Sequence, residues 1–527
     1  MAENYSDKDK HEDVKVLHGM GYAQELSRSM SKFSNFAISF SIICILSGAI
    51  NSFSQATGSI GGAAAGIAWI VGCIISGFFA LSMAQIGSAF PTAGGLYHWG
   101  SILGNRFVGW MTAWLNLLGL ITVLGAINLG TAFYFQGTFG SLIGMTTDPV
   151  WIVSFVVVIT VAQAIFNHVG IKTTTFLTDI SGYVIFVTTA VLVLVCLYAA
   201  FQRGIDISRL WTFKNYSGDA GGNIFPQSGS MFYLFLLSLL WPIYTITGYD
   251  ASAHTSEETE RAAYSVPSGI INAVIWSSLI GWVMVAAIML AIPDLDAGAK
   301  SGGGVFFGTM DAIMPSGGLA VLKVVIYIGI LIAQLLCGLA TVTSASRMLF
   351  AFSRDGGMPI GSKALASVSP TYRTPVTAIW TASALCLLYV ILVSFIPVSG
   401  GSAFSLYFIV VNSTLVFLFL SFTIPLVAGA MAFGGPKWPI PGPWAMSKGL
   451  YQTVTGLAVI GMLIIFYIAV QPPSSVVLDI VIAFLVLAVV LWFAVENRRF
   501  KGPPIGDEVK KRASAIAAAE AAVGEKG

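Results

Sequence analysis

The chain has 527 residues, of which 56% are hydrophobic and only 9% are charged. A soluble protein of this size would carry charge on about a quarter of its residues. This composition excludes the soluble globular classes and predicts an all-α polytopic membrane protein, because roughly 20 apolar residues are enough to cross a bilayer as a helix. The formal net charge of +2 says little until it is divided between the two sides of the membrane. We expect the lipid bilayer as a partner and no nucleic acid.

The cysteines show no pattern of disulfide or metal chemistry. All of them lie in apolar runs without CxxC spacing: Cys44, Cys73, Cys196, Cys337 and Cys386. Such residues are typical of small buried packing positions. We therefore predict neither a metal site nor a disulfide.

Apolar runs separated by polar or Gly/Pro turns predict twelve membrane-spanning helices. The first six are expected at 34–60, 64–89, 106–135, 150–168, 176–200 and 231–259. The second six are expected at 268–292, 318–350, 375–396, 403–431, 451–470 and 474–495. Several exceed the length needed to span, which indicates tilt, breaks or extension past the membrane.

Lysine and arginine are divided unequally between the predicted sides. If the N-tail is cytoplasmic, the outer side has only Arg203, Arg209, Lys214 and Lys300, with Lys323 at a helix start. The inner side has most of the others, including the basic C-tail from Arg498. This bias predicts a plasma or bacterial inner membrane protein with both termini in the cytoplasm.

The stretch 241–259, WPIYTITGYDASAHTSEET, is the most unusual in the chain. It places Pro242, Gly248 and Asp250 inside a predicted span. Proline removes a helical hydrogen bond, glycine loosens the backbone, and a carboxylate in hydrocarbon costs several kcal/mol. Such a segment is tolerated where its backbone lines a cavity inside protein. We predict a broken sixth helix that holds a small polar solute.

A similar interruption lies in the first predicted span. The stretch SGAINS at 47–52 corresponds to TGYDAS at 247–252, each with a hydroxyl–glycine pair inside a helix. The regions 34–200 and 231–431 each hold five predicted spans, so the second copy is inverted relative to the first. Paired interruptions in inverted halves point to the binding site of a transporter.

The remaining segments complete the predicted domain organisation. The two five-helix repeats are joined by an extracellular loop at 201–230, and helices 11 and 12 follow at 451–495. A cytoplasmic N-tail at 1–33 and a cytoplasmic C-tail at 496–527 flank them. We expect the C-tail to be solvated or to form a short surface helix.

Several stretches closely resemble one family in the right order: GYAQELSRSMSKFSNFAISFSII, GSAFPTAGGLYHWGSILGNRFVGWMTAWLN, NHVGIK, GYDASAHTSEET and SRMLFAFSRDGGMP. The chain is similar to the amino acid/choline transporter branch, which includes γ-aminobutyrate permeases, of the amino acid–polyamine–organocation superfamily. The resemblance implies a LeuT-type fold with a 5+5 inverted repeat and two further C-terminal helices. It also implies secondary active transport of amino acids or related amines, without enzyme activity or a cofactor, driven by protons or by exchange.

Chain polarity suggests how a zwitterion is held. Beyond each break a helix N-terminus, near 51–53 and 250–252, offers N–H groups to a carboxylate. Before each break, carbonyls near 46–47 and 245–247 suit an ammonium group. The candidate substrate-binding residues are Ser47, Gly48, Ala49, Ile50, Asn51, Trp114, Tyr244, Thr245, Gly248, Tyr249 and Asp250. Aromatic faces among them would favour cationic amines.

Asp250 has two interpretations that stay open together. A poorly hydrated acid can take and release a proton during transport. Aspartate is also a favoured N-cap, and position 250 starts the second half of helix 6. Sodium is a weaker alternative to the proton gradient, with possible oxygen ligands from Thr341, Thr343 and Ser344.

Charged residues near the predicted inner ends suggest a cytoplasmic gate made of Glu257, Glu258, Arg347 and Arg354. The alternative is a solvated membrane-edge face. His98, His168 and His254 also fall at predicted inner ends, where we expect interfacial hydrogen bonds.

The predicted function is amino acid transport by alternating access, with γ-aminobutyrate as one candidate substrate. The alternatives are a choline, polyamine or other cationic amine transporter and a sensor that binds amino acids but barely transports them. A channel should show a repeated polar lining, and an enzyme should show a nucleophile–base set, so both are disfavoured. The sequence does not fix the oligomeric state.

Overall fold

A computed structural model describes residues 5–394 and 403–523, with the side chains of 403–405 left aside. The start of the predicted N-tail 1–33, the end of the predicted span 375–396 and the end of the C-tail 496–527 lie outside the described residues. The described chain is helical, and its only strand-like pairings are two isolated bridges, Met30–Thr259 and Phe433–Trp438.

The first half of the molecule contains nine helices within the described residues. They are α1 (Asp7–Gly19), α2 (Lys32–Ile43), α3 (Ile45–Asn51), α4 (Phe53–Thr57), α5 (Trp69–Ala89), α6 (Leu96–Trp99), α7 (Arg106–Phe139), α8 (Pro149–His168) and α9 (Ile171–Gln202). Helix α5 is preceded by a π-helical turn at Ala64–Ala68, and α6 is followed by another at Gly100–Gly104.

The second half of the described chain begins with a helix in three short pieces. These are α10 (Met231–Ser238), α11 (Leu240–Thr245) and α12 (Ala251–His254). They are followed by α13 (Ala262–Ala291), α14 (Leu295–Lys300), α15 (Val305–Ile313), α16 (Gly317–Arg354), α17 (Ser362–Leu365), α18 (Val376–Ser394), α19 (Ala403–Ala432), α20 (Lys448–Ala469), α21 (Val476–Leu491), α22 (Asn497–Arg499), α23 (Asp507–Lys511) and α24 (Ala513–Ala522).

Eleven helices in the described part of the chain are long and apolar enough to cross a membrane. They correspond to eleven of the predicted spans. The predicted span 231–259 differs, because its apolar part is the shorter segment Met231–Thr245 and the rest is interrupted. The all-α polytopic membrane architecture is confirmed, while twelve crossings and the inverted repeat stay predictions.

The outer helices carry an apolar surface suited to lipid. Large apolar side chains stand exposed along α8, α9 and α21, among them Val158, Phe176, Leu194 and Leu487. In contrast, α7 and the first predicted span are mostly buried inside the bundle. The centre of the molecule is therefore a protein-lined core in which polar side chains can be held.

The first predicted span is broken earlier than expected. Helix α2 ends at Ile43, and Cys44 adopts a positive φ of 29° before α3 begins. The expected interruption at 47–52 is found only at its last residue, Ser52, which separates α3 from α4, since Ser47 to Asn51 form part of α3. The break at Cys44 was not expected. Nothing about a cysteine marks such a conformation, which non-glycine residues rarely adopt.

The two tails meet at one end of the bundle. His18, at the end of α1, lies 2.7 Å from the Glu520 carboxylate of α24. The backbone N–H of Gln24 donates to the same carboxylate over 2.9 Å. Glu520 is buried on the otherwise mostly exposed α24, so this part of the C-tail forms the short surface helix that was one of the two expectations.

Candidate functional site

The two interrupted helices lie side by side. A β-carbon placed on Gly48 of α3 would come within 2.9 Å of the Thr245 Cα atom of α11. The Trp241 indole N–H donates to the Ala49 carbonyl over 2.9 Å. Gly248 has a φ of 105° and packs onto Ile42, next to the Cys44 break. The interrupted first and sixth spans are therefore in direct contact, largely through residues inside α3 and α11.

Hydrogen bonds fix the second interruption against α2. The Ser39 hydroxyl donates to the Tyr249 carbonyl over 3.0 Å, and the Ser252 N–H donates back to that hydroxyl over 2.9 Å. The Ala251 N–H donates to the Gly248 carbonyl over 3.2 Å. The N–H groups of Ala251 and Ser252, which we expected to face a substrate carboxylate, already have partners in this conformation.

The equivalent expectation for the first span also needs correction. The Ser52 N–H donates to the Gly48 carbonyl and so already has a partner, although α4 does begin directly after it at Phe53. The Leu46 carbonyl, expected to face an ammonium group, accepts a bond of 3.1 Å from the Gln334 amide of α16. Gln334 also pairs with the Asn51 amide over 3.3 Å. The Gln334 side chain, on a third helix, therefore occupies the backbone carbonyl that we expected to bind the ammonium group.

A cavity of about 200 Å³ opens beside Asn51. Its walls include the aromatic side chains of Phe133 and Tyr134 of α7, Phe307 of α15 and Tyr407 of α19. The Tyr407 hydroxyl lies 3.3 Å from Ser52 Oγ and hydrogen-bonds to Tyr244. This space therefore combines Asn51 and a phenol with aromatic faces.

Other candidate residues lie apart from this cavity. Trp114 packs against Trp110 and Phe352, with ring centroids 6.2 Å and 6.0 Å away. It is sixteen residues before Gly130, the neighbour of Asn51, or about 24 Å along α7. The Tyr249 ring packs on Phe422 at 5.7 Å. The structure does not bring Trp114 to Asn51.

Asp250 is fully buried directly before α12, but it does not cap that helix. Its Oδ2 atom lies 3.3 Å from Nε2 of His254, one turn later. Neither carboxylate oxygen has a hydrogen-bond partner among the described residues. The capping interpretation is therefore wrong. The expectation of interfacial histidines is also wrong for His254 and His98, which are both buried.

The hydroxyls suggested for sodium lie on the C-terminal half of α16. Thr341 donates to the Cys337 carbonyl over 2.9 Å, and Thr343 donates to the Asn167 amide oxygen over 2.7 Å. The Ser344 hydroxyl is buried and has no partner within the described chain. Thr341 and Thr343 thus use their hydroxyl hydrogens inside the protein.

The four residues suggested for a gate form two ion pairs. Arg347 binds Glu258 through Nε and Nη2, over 3.0 Å and 2.8 Å, and neither side chain is exposed to solvent. Arg354 binds Glu257 in the same two-point manner, over 3.0 Å and 2.8 Å. Both pairs connect the segment after α12 to the end of α16. The alternative of a solvated membrane-edge face is wrong for these residues.

The N-terminal segment covers these ion pairs. The Arg354 guanidinium lies 3.9 Å from the centroid of the Tyr22 ring, and the Tyr22 hydroxyl donates to Asp355 over 2.7 Å. The Tyr97 hydroxyl donates to the same carboxylate oxygen over 3.0 Å. Burial raises the pKa of the Asp355 carboxyl, while Arg354 and the two hydroxyls oppose the shift. A layer of tyrosines and charges closes this end of the molecule.

Sequence reasoning missed Gln334, Tyr407 and Tyr22, since nothing in their spacing distinguishes them from packing residues. It had a signal for His254, which follows Asp250 by four residues and so lies on the same helix face. The sequence analysis assigned His254 only to an interfacial hydrogen bond.

Comparison with known proteins agrees with this architecture. Residues 30–495 match the family model described as "Amino acid permease". An amino-acid permease, BAT1, of Arabidopsis thaliana is 32% identical over 487 residues, covering 87% of this chain and 89% of the relative. The BAT1 homolog of Oryza sativa subsp. japonica is 32% identical over 390 residues, covering 70% of this chain and 72% of the relative.

A third relative carries a substrate in its name. The GABA-specific permease of Saccharomyces cerevisiae is 29% identical over 409 residues, covering 72% of this chain and 66% of the relative. Family and relatives are transporters, so the chain is not an enzyme, as the resemblance implied. The chain belongs to the amino acid permease family of the amino acid–polyamine–organocation superfamily.

Proposed function

We propose that this permease carries γ-aminobutyrate or a related amino acid across a cell membrane by alternating access. The observation that carries the proposal is the contact between the two interrupted helices, beside which Asn51 opens into a cavity of about 200 Å³. Interrupted helices packed inside protein are the usual place for a solute site in transporters. The name of the yeast relative, a GABA-specific permease, supports a short amino acid.

Recognition in this proposal uses side chains more than helix ends. Asn51 and Gln334 offer amide donors and acceptors, and Tyr244 and Tyr407 offer hydroxyls at the same level. A buried amide without its partner is costly. A substrate that bridges these groups would therefore replace the contacts that they now make with one another.

Alternating access requires one set of helices to move against another. In the proposed cycle α2–α3, α5, α10–α12 and α13 move as one body against α7, α8, α16 and α18. The pairs Glu258–Arg347 and Glu257–Arg354 join the first body to the second, and each is fully or largely buried. They would hold the cytoplasmic side closed and separate when it opens.

A cationic amine is the second candidate substrate, because the cavity beside Asn51 is lined by Phe133, Tyr134, Phe307 and Tyr407. Aromatic faces stabilise a desolvated cation by roughly 2 kcal/mol.

A non-transporting amino acid sensor would bind solute in the same place. We propose that a proton gradient, or exchange against a second solute, drives transport. A sodium gradient is the less favoured alternative.

The experiment is uptake into proteoliposomes that contain the purified chain. Labelled γ-aminobutyrate, neutral amino acids, choline and putrescine are supplied with a pH gradient, a sodium gradient, or unlabelled solute inside. We expect concentrative or exchange uptake of amino acids. Faster uptake of choline or putrescine would support the cationic alternative. Binding without any flux would support the sensor, and neither binding nor flux would reject the proposal.

A further inference from the structure

Asp250 and His254 are the most unusual buried pair in the described chain. Their facing atoms, Oδ2 and Nε2, lie 3.3 Å apart, and their side chains are 1% and 0% exposed. The geometry is that of an ion pair without a formed hydrogen bond, and no other described group bonds to these atoms. An isolated buried charge is strongly unfavourable, so the proton content of this pair matters.

The other histidine nitrogen fixes how the ring is protonated. His254 Nδ1 lies 3.3 Å from the Ala93 carbonyl oxygen. A carbonyl can only accept, so Nδ1 carries a hydrogen and donates it. In a neutral ring, Nε2 then has no hydrogen and presents its lone pair to Asp250.

Counting protons between the two groups leaves one favourable state. With none, a carboxylate faces a lone pair at 3.3 Å and the buried anion has no counter-charge. With two, a cationic ring faces an acid that is already neutral, and a positive charge is left unpaired. With one, the assembly is neutral overall, either as acid and neutral ring or as carboxylate and imidazolium. The arrangement therefore fits a single proton.

Neighbouring groups do not compensate for a missing proton. The charged side chains on adjoining elements form ion pairs with one another: Glu257 pairs with Arg354, and Glu258 pairs with Arg347. The remaining titratable neighbours are Tyr249 and His98, whose Nδ1 lies 3.1 Å from the Thr92 hydroxyl. From α2 and α13 the adjoining residues are uncharged: Asn35, Ser39 and Gly269.

One residue links the pair to the ion pairs described above. The Ala93 carbonyl accepts from His254, and the Ala93 N–H donates to Glu257 over 3.0 Å. Glu257 in turn binds Arg354. Movement of α12 relative to Ala93 would therefore disturb the Glu257–Arg354 pair, because two hydrogen bonds of Ala93 connect His254 to Glu257.

From this arrangement, we infer that Asp250 and His254 together form a one-proton site that couples proton movement to the transport cycle. The inference rests on the proposed transport function and adds His254 to Asp250. In the closed state the proton resides on one of the two facing atoms, Oδ2 or Nε2. Its release to water takes the pair from neutral to one negative charge, and the facing acceptors then repel. That repulsion favours movement of α12 away from Ala93.

The experiment measures proton entry with a pH-sensitive dye inside proteoliposomes. The added solute is the amino acid taken up fastest in the uptake screen, with γ-aminobutyrate tried first. The variants are Asp250→Asn and His254→Asn. Asparagine at 254 can still donate to Ala93 but has no titrating nitrogen. His98→Asn is the matched control, since His98 is also buried but its Nδ1 faces the Thr92 hydroxyl instead of a carboxylate.

We expect both site variants to lose amino-acid-driven proton entry and the pH dependence of uptake, while one-for-one exchange continues. The control should keep the wild-type pH profile. Wild-type proton entry and pH profile in His254→Asn would overturn the inference, as would amino acid uptake by the wild type without proton movement. If His254→Asn fails to fold, His254→Gln serves as the second variant. Absence of any flux in the wild type would instead reject the proposed function.

Discussion

Gly48 of α3 lies directly against the backbone of Thr245 in α11, and a β-carbon at Gly48 would come within 2.9 Å of the Thr245 Cα atom. Thr245 lies one turn after Trp241, whose indole N–H donates to the Ala49 carbonyl. The two interrupted helices can approach this closely because position 48 has no side chain.

Gly48→Ala should separate α3 from α11. The atom that the new methyl group meets is backbone, which cannot rotate away, so we expect a loss of about 1–3 kcal/mol in stability and a strong loss of uptake. Thermal unfolding in detergent and uptake into proteoliposomes measure the two effects. Gly77→Ala in α5 is the control, since no atom lies within 4 Å of the new β-carbon. Equal uptake by both variants would contradict the predicted role of this contact.

Arg347→Ala should destabilise the protein by roughly 3–5 kcal/mol, because it leaves Glu258 buried without a counter-charge. The double variant Arg347→Met with Glu258→Gln removes both charges and should recover much of the loss. Thermal unfolding of Arg347→Met, Glu258→Gln and their double variant completes the cycle. Strictly additive effects would show that the two side chains do not act as a pair.

Tyr22 is predicted to act through both its ring and its hydroxyl. Tyr22→Phe keeps the ring under Arg354 and removes the bond to Asp355, which should cost about 1.5–3 kcal/mol. Tyr22→Leu removes the ring face as well and should cost roughly 0.5–2 kcal/mol more. Chemical unfolding monitored by tryptophan fluorescence compares the two variants. A phenylalanine variant less stable than the leucine variant would be the opposite of this expectation.

Glu520→Gln should loosen the contact between the tails. The carboxylate accepts from Gln24 and lies 2.7 Å from His18, and an amide can keep only the neutral hydrogen bond. We expect faster proteolytic cleavage near the start of α2, with less effect from Glu508→Gln, which is exposed on α23. Identical cleavage rates would indicate that Glu520 does not hold the tails together.

Much of the fold followed from periodicity and composition, since long apolar runs can form few structures in a bilayer. The interruption of the sixth span was predictable because Pro242, Gly248 and Asp250 each oppose a lipid-facing helix. The break at Cys44 was not, because no breaker residue marks it; next to it, the Ile42 carbonyl accepts from Cys337 Sγ and Gly248 packs onto the Ile42 side chain. The charges near Glu257 and Arg354 were predicted to lie together, and the structure brings these two side chains into contact.

Whether a side chain is buried was harder to predict than the helix or segment to which it belongs. His254 was assigned to the membrane surface, although the structure buries it beside Asp250. Tyr22 lies in a polar segment that looks solvated in sequence, yet it is 2% exposed because the N-terminal segment folds over the end of α16. Such contacts join residues far apart in the chain, and no local pattern encodes them.

The central claim is that solute binds beside Asn51, where the two interrupted helices meet. The most direct test is equilibrium binding of labelled γ-aminobutyrate, and of the best amino acid from the uptake screen, to purified Asn51→Ala and wild-type protein. The control is Asn116→Ala, a buried amide on α7 that donates to Ser421 over 3.2 Å and does not line the cavity. The account predicts at least about a tenfold loss of affinity in Asn51→Ala only, equivalent to roughly 1.4 kcal/mol. Equal affinity in the two variants and the wild type would contradict it.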